Sequence, residues 1–311
     1  MSSHSSSPLS ASTALLLLVP PLMWAGNAVV GRLAAAWIPP ITFNFLRWTL
    51  AFLILLPLAG WVLRRGSPLW AHWRRFALLG LLAIAGYNML QYQALKTSTP
   101  INVTLVASSM PVWMLLVGRL FFQTAVKARA VVGAMLSLSG VIVVLTQGNW
   151  AKLGELRLVP GDAWMLLAAF VWACYSWLLT RRDEPADIRD DWAAFLLAQT
   201  AFGLCSAAVL TAGEWWWIST HSAAVSTIQW SWALIGIIVF VALGPSLLAY
   251  RCWGAGVQRA GPTVASFFSN LTPLFAALMS AAFLGEPPRL FHGLAFGLIL
   301  AGIVVSSARR T

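Results

Sequence analysis

The chain of 311 residues is 59% apolar and only 9% charged. Soluble domains carry about 25% charged residues, so a fold in water would leave large apolar areas exposed, and the bilayer is the natural solvent. The net charge of +11 sits in short clusters between apolar runs, the pattern of membrane loops, which argues against a nucleic-acid partner.

The N-terminal MSSHSSSPLSAS lacks the basic segment of a cleaved leader, and the run after it reads as a first span over about 13–32. Further apolar runs follow at about 39–60, 75–95, 101–123, 128–147, 161–181, 192–212, 231–252, 262–284 and 290–308. Runs of about 20 residues are too long for barrel strands, and backbone groups in lipid must be satisfied within the segment. The expected fold is an all-α integral membrane protein with ten transmembrane helices in the lipid bilayer.

Orientation follows from the basic residues. With the N-terminus in the cytoplasm, inner segments hold twelve Lys and Arg, among them Arg64, Arg65, Arg74, Arg75, Arg181 and Arg182. The outer loops hold five: Arg32, Lys96, Lys152, Arg157 and Arg289. That asymmetry places both termini inside, in a multi-pass protein of the cell's inner membrane. Trp215–Trp217 fall at the outer interface, and the mixed-charge segment Arg181–Asp191 reads as a solvated link.

An internal repeat runs through these spans. PINVTLVASSMP at Pro100–Pro111 and PTVASFFSNLTP at Pro262–Pro273 share their proline spacing at an offset of 162, which also pairs Gly140 with Gly302. Trp24-Ala25 faces Trp172-Ala173 at an offset of 148. Two units follow, 1–148 and 149–311, each of five spans. Five is odd, so the second copy enters from the opposite side, giving two inverted five-helix repeats. Pro111 and Pro273 fall mid-span, where each removes a ladder bond and kinks its helix. Such breaks either serve packing or line a cavity.

Polar groups within spans mark the candidate cavity. Asn44 and Arg47 share one face of the second span. Arg47 needs a watery cavity, backbone carbonyls or a substrate carboxylate to compensate its charge. Tyr87, Asn88, Gln91 and Tyr92 crowd the third span, as interhelical bonds or as cavity lining. Trp24 with Asn27, and Trp172 with Tyr175, repeat one spacing in the two halves and suit either packing or an aromatic-lined site. Ser108, Tyr250 and Asn270 complete the set, Asn270 being the bulkiest polar group on the kinked helices. Glycines on the fifth and tenth spans (Gly133, Gly140, Gly293, Gly297, Gly302) allow close helix approach or a dimer contact, and the oligomeric state stays open.

Other chemistries lack their residues. Cys174, Cys205 and Cys252 form no CxxC pair, none of the four histidines is followed within five positions by an acid, and no Walker loop occurs. Neither a cofactor nor a metal is called for, and an embedded enzyme is disfavoured. All nine acidic residues are expected in loops or at span ends, leaving no midplane carboxylate for ion coupling.

WAGN at Trp24–Asn27, PPITFNFLR at Pro39–Arg47, ASSMP at Ala107–Pro111 with its partner ending at Pro273, WACY at Trp172–Tyr175 and FLGEPP at Phe283–Pro288 occur in that order. Together they resemble the EamA type of the drug/metabolite transporter (DMT) superfamily, and within it the amino-acid exporters of the YddG kind. The resemblance covers nearly the whole chain. It implies export of small metabolites through a central cavity formed mainly by the non-peripheral spans. Thr124 stands where the family's first repeat often has a glutamate to match Glu286. The expected function is a secondary transporter exporting amino acids, apolar or aromatic ones favoured, and related small metabolites by alternating access without stoichiometric ion coupling. The alternatives are an exporter of amphipathic drugs or cationic metabolites, or a channel.

Overall fold

The computed structural model describes residues 9–98, 100–155, 159–221, 227–284 and 290–307, and their regular structure is entirely helical. The elements in chain order are α1 (Ala11–Ala34), α2 (Pro40–Ala59), α3 (73–97), α4a (Pro100–Ala107), α4b (Met110–Phe121), α5 (Ala128–Thr146) and α6 (Pro160–Leu178). After a short turn at Ala186–Asp190 come α7 (Trp192–His221), α8 (232–260), α9a (Pro262–Ser269), α9b (Leu271–Leu284) and α10 (Leu290–Ser307). Among the described residues, eight helical stretches are long and apolar enough to cross a membrane; they correspond to α1, α2, α4, α5, α7, α8, α9 and α10. The remaining two helices carry the polar Tyr87–Gln91 run (α3) or Asp162 and several tryptophans (α6), which lowers their hydropathy. The protein is thus an all-helical, multi-pass membrane protein.

Helix starts follow local chemistry. Ser10 accepts from the Thr13 amide at 3.2 Å to cap α1. Prolines open α2, α4a, α6 and α9a, where a missing N–H costs little. At α6, Asp162 accepts from the Val159 amide at 3.0 Å and from the Ser98 hydroxyl. The start of α2 is capped from another helix: Glu214 of α7 accepts from the amides of Ile41 (3.0 Å) and Thr42 (2.7 Å) and from the Thr42 hydroxyl (2.8 Å). This corrects two expectations. The seventh span continues to His221 rather than 212, and Glu214 is a buried carboxylate within it. Its burial is compensated because three donors converge on one carboxylate at a helix N-terminus.

The segment Arg181–Asp191 is likewise not only a solvated link. Glu184 is buried and paired with Arg75 Nε at 2.5 Å, while Arg75 Nη2 donates to the carbonyls of Leu178 and Arg181. That arginine ties the start of α3 to the end of α6.

Helical regularity breaks at four places. The ladder is interrupted at Ser108–Ser109 and at Asn270, three residues before Pro111 and Pro273. A proline lacks its own N–H and clashes with the carbonyl four residues back, so the break falls one turn upstream. The other two are wide, π-type turns, at Leu81–Gly86 in α3 and Ala242–Leu248 in α8. Pro245 accounts for the second; nothing in LLAIAG explains the first.

Helix pairings recur between the halves. α5 packs on α10, and α2 on α7; α3 with α6 is matched by α8 with α1, and α4 with α6 by α9 with α1. The α5–α10 contact shows why glycine is needed. A Cβ on Gly133 would lie 2.7 Å from the Gly302 carbonyl oxygen, one on Gly140 2.8 Å from that of Ala295, and one on Gly302 2.7 Å from that of Gly133. A Cβ on Gly293 or Gly297 would meet nothing within 4 Å, so these two take no part in the contact.

Candidate functional site

A cavity of about 570 Å³ lies between α1, α2, α3, α4, α6, α8 and α9. Its volume is within the range of small-molecule sites. Of the residues singled out in the sequence, Trp24, Asn27, Arg47, Tyr87, Asn88, Gln91, Ser108, Trp172, Tyr250, Asn270 and Pro273 line it. Three others do not. Asn44 is buried behind Arg47, Tyr175 is buried behind Trp172, and Pro111 is buried in the packing of α4b. The side chain of Tyr92 and the whole of Glu286 lie outside the described residues.

Arg47 is 3% exposed. Its Nε donates to Asn44 Oδ1 at 3.1 Å and its Nη2 to Asn88 Oδ1 at 2.7 Å. The two asparagines are themselves fixed by the wide turn of α3. Asn44 Nδ2 donates to the Ile84 carbonyl at 3.1 Å, and Asn88 Nδ2 donates to Ala83 at 3.1 Å and Ile84 at 3.2 Å. The Tyr250 hydroxyl donates to the same Ala83 carbonyl at 2.9 Å. Among the described residues no carboxylate pairs with Arg47, and the cavity lining contains no acidic side chain. The guanidinium is therefore oriented by neutral amides, with its positive charge uncompensated.

Much of the rest of the cavity lining is aromatic. The Trp172 ring lies 5.4 Å from Trp24, 4.9 Å from Tyr87, 5.5 Å from Tyr250, 5.2 Å from Tyr175 and 5.6 Å from Trp253, centre to centre. These distances suit edge-to-face and offset aromatic packing. Trp24 Nε1 donates at 3.3 Å to the Pro245 carbonyl in the wide turn of α8. Trp24 and Trp172, matched in sequence, thus meet at the centre of the bundle. The cavity extends from this cluster toward the segment 35–38 between α1 and α2, lined on the way by Gly31, Ala34 and Ile38.

Sequence reasoning missed lining residues with no polar signature, such as Ala28, Phe43 and Val103. It also missed Thr272 and the partner of Asn270, the Ser137 hydroxyl of α5, which accepts from Asn270 Nδ2 at 2.9 Å.

The profile of the EamA-like transporter family matches residues 11–146 and again 159–308. The chain belongs to the EamA-like transporter family. Among its EamA relatives, the aromatic amino acid exporter YddG of Ancylobacter novellus is 27% identical over 99% of this chain and 100% of that protein. An uncharacterized transporter of Archaeoglobus fulgidus is 22% identical over 97% of this chain and 99% of its own length. The inner membrane transporter YedA of Escherichia coli K12 is 24% identical over 91% and 87% of the two chains. A solved crystal structure superposes with a TM-score of 0.70 at 22% identity, covering 95% of this chain and 96% of its own, and shows the shared fold. This EamA protein is accordingly a membrane transporter of small molecules; its family and relatives are transporters rather than enzymes.

Proposed function

We propose that the protein is a secondary transporter that exports amino acids, apolar and aromatic ones favoured, and related small metabolites across the inner membrane. The observation that carries this reading is Arg47. It is a buried cation without a carboxylate partner among the described residues, held in orientation at the edge of a cavity that contains no acid. A carboxylate from the substrate completes the pairing, because a guanidinium in a dry site gains most from a planar anion. The wall of Trp24, Tyr87, Trp172 and Tyr250 receives an apolar or aromatic side chain. The same charge disfavours cationic drugs. The likeness to an aromatic amino acid exporter along the full chain supports the same reading.

Alternating access is the mechanism. The two proline breaks, the two wide turns and the recurring helix pairings support two inverted five-helix units, ten spans in all, rocking about the cavity. The family profile matching once in each half supports the same division. Among the described residues no acidic group lines the cavity, which supports transport driven by the substrate gradient without stoichiometric ion coupling. The excess of basic residues on the Arg64–Arg75 and Arg181–Arg182 side supports an orientation with both termini in the cytoplasm.

The test is counterflow in proteoliposomes with no ion gradient. Saturable exchange of labelled phenylalanine or leucine against unlabelled amino acid is expected. Arg47→Gln should raise the half-saturation concentration about 10- to 100-fold, the weight of a lost charge-assisted bond. Flux that needs an imposed pH or sodium step, or that is indifferent to Arg47→Gln, would overturn the reading.

A further inference from the structure

The two helix breaks are equivalent in sequence but not in how their polar groups are satisfied. At the first, both hydroxyls turn back on the helix: Ser108 Oγ donates to the Thr104 carbonyl at 2.8 Å and Ser109 Oγ to that of Val106 at 2.5 Å. At the second, Ser269 Oγ and Asn270 Oδ1 are buried and have no hydrogen-bond partner among the described residues. Asn270 is 1% exposed and its amide nitrogen is anchored on Ser137, so the oxygen is the end left over. One more such atom borders the cavity, Asn27 Oδ1 on α1, the helix that packs against both halves of α9. Asn27, Ser269 and Asn270 all line the cavity. Buried polar atoms are nearly always paired, and three on residues that line one cavity call for a donor from outside the chain.

The chemistry of that donor follows from the surroundings. The unpaired groups are two amide oxygens and a hydroxyl, which together accept. An ammonium group offers three donors and no acceptor. Neutral oxygens alone hold a bare amine poorly, however, and Arg47 repels it. The amine is therefore retained only on a molecule whose carboxylate is already on Arg47.

We propose that Asn27, Ser269 and Asn270 receive the ammonium group of a zwitterionic substrate, so that the cavity selects solutes carrying a free amine together with their carboxylate. This rests on the reading of Arg47 as the carboxylate site. Arg47 and Asn27 come from the first half of the chain and Ser269 and Asn270 from the second, so a bound zwitterion touches both halves.

The experiment is counterflow with four probes sharing one aromatic group: phenylalanine, 3-phenylpropionate without the amine, N-acetylphenylalanine with the amine blocked, and phenethylamine without the carboxylate. The wild-type protein should favour phenylalanine over 3-phenylpropionate by about tenfold or more in half-saturation concentration, and carry phenethylamine least. Ser269→Ala and Asn270→Leu should collapse that ratio toward one by weakening phenylalanine alone. Ser269→Ala removes a hydroxyl that bonds to nothing in the described protein, so a loss of fold does not obscure its result. Ser109→Ala at the self-satisfied break should leave the ratio as it is. A wild-type protein that carries 3-phenylpropionate as well as phenylalanine, or a ratio untouched by Ser269→Ala and Asn270→Leu, would overturn the ammonium site while leaving the carboxylate reading standing. Carriage of none of the carboxylate probes would overturn both.

Discussion

A guanidinium in the middle of a span costs about 2.5–3.5 kcal/mol even on the lenient insertion scale. Here Asn44 and Asn88 offset part of that cost, accepting from Arg47 while donating to carbonyls of the wide turn in α3, but they leave its charge unpaired. Asn44 touches no cavity space, so its contribution to binding passes through Arg47. Asn44→Ala should therefore raise the half-saturation concentration for carboxylate substrates about three- to tenfold while maximal flux stays close to normal, read in the same counterflow assay. Glu214 is a further buried charge whose removal leaves partners stranded. Glu214→Ala deprives the Ile41 and Thr42 amides and the Thr42 hydroxyl of their acceptor. It should lower stability by about 2 kcal/mol, seen as earlier thermal unfolding of the detergent-solubilised protein, with Glu214→Gln retaining part of the loss. Arg47 and Asn88 stood out in the sequence because polar side chains inside apolar runs are rare. Glu214 did not, because it sits beside a Trp-rich helix end that resembles a loop.

At the level of elements, the α5–α10 contact is set by missing side chains. Backbone carbonyls occupy the space where Cβ atoms would be at Gly133, Gly140 and Gly302. Without a hydrophobic drive between helices in lipid, such close backbone approach supplies the association. Gly302→Leu should force the pair apart and cost roughly 1–3 kcal/mol or more, measured as loss of folded protein in fluorescence-detected size exclusion. Gly297→Leu, on the same helix but with no neighbour within 4 Å, should be tolerated. The glycine pattern was visible in the chain, but not which glycines meet a partner, because that depends on the rotation of both helices. The kinks behave similarly. Pro111 and Pro273 announce the breaks in α4 and α9, whereas the wide turn at Leu81–Gly86 has no proline and is held by Asn44, Asn88 and Tyr250 from the side.

Across the whole molecule, the cavity lining on α1 runs from Trp24 to Ala35, and Leu17 lies on the same helix beyond the aromatic cluster. There α1 and α8 touch so tightly that a Cβ on Gly256 would lie 2.7 Å from Leu17 Cγ. If the two halves rock, this contact must separate in the opposite state. The double substitution Leu17→Cys with Gly256→Cys, in a chain lacking Cys174, Cys205 and Cys252, should form a disulfide readily, since the β-carbons fall within bridging distance. Oxidation should then stop counterflow and reduction restore it. Continued flux in the cross-linked protein would mean that these ends do not open during transport.

By itself the sequence determined the solvent of the fold, the helical class, the paired proline breaks at a fixed offset and most of the polar residues that reach the cavity. Each of these is written in a local or periodic signal: run length, offset, or a polar group where lipid forbids one. Only the tertiary structure decided that Asn44 and Tyr175 stand behind the cavity wall, that Glu214 caps a helix more than 170 residues away in sequence, that Trp24 meets Trp172, and that one helix break satisfies its own hydroxyls while its counterpart leaves them open. Those facts depend on which faces of distant helices are turned toward each other, and no periodicity within a single span encodes that rotation.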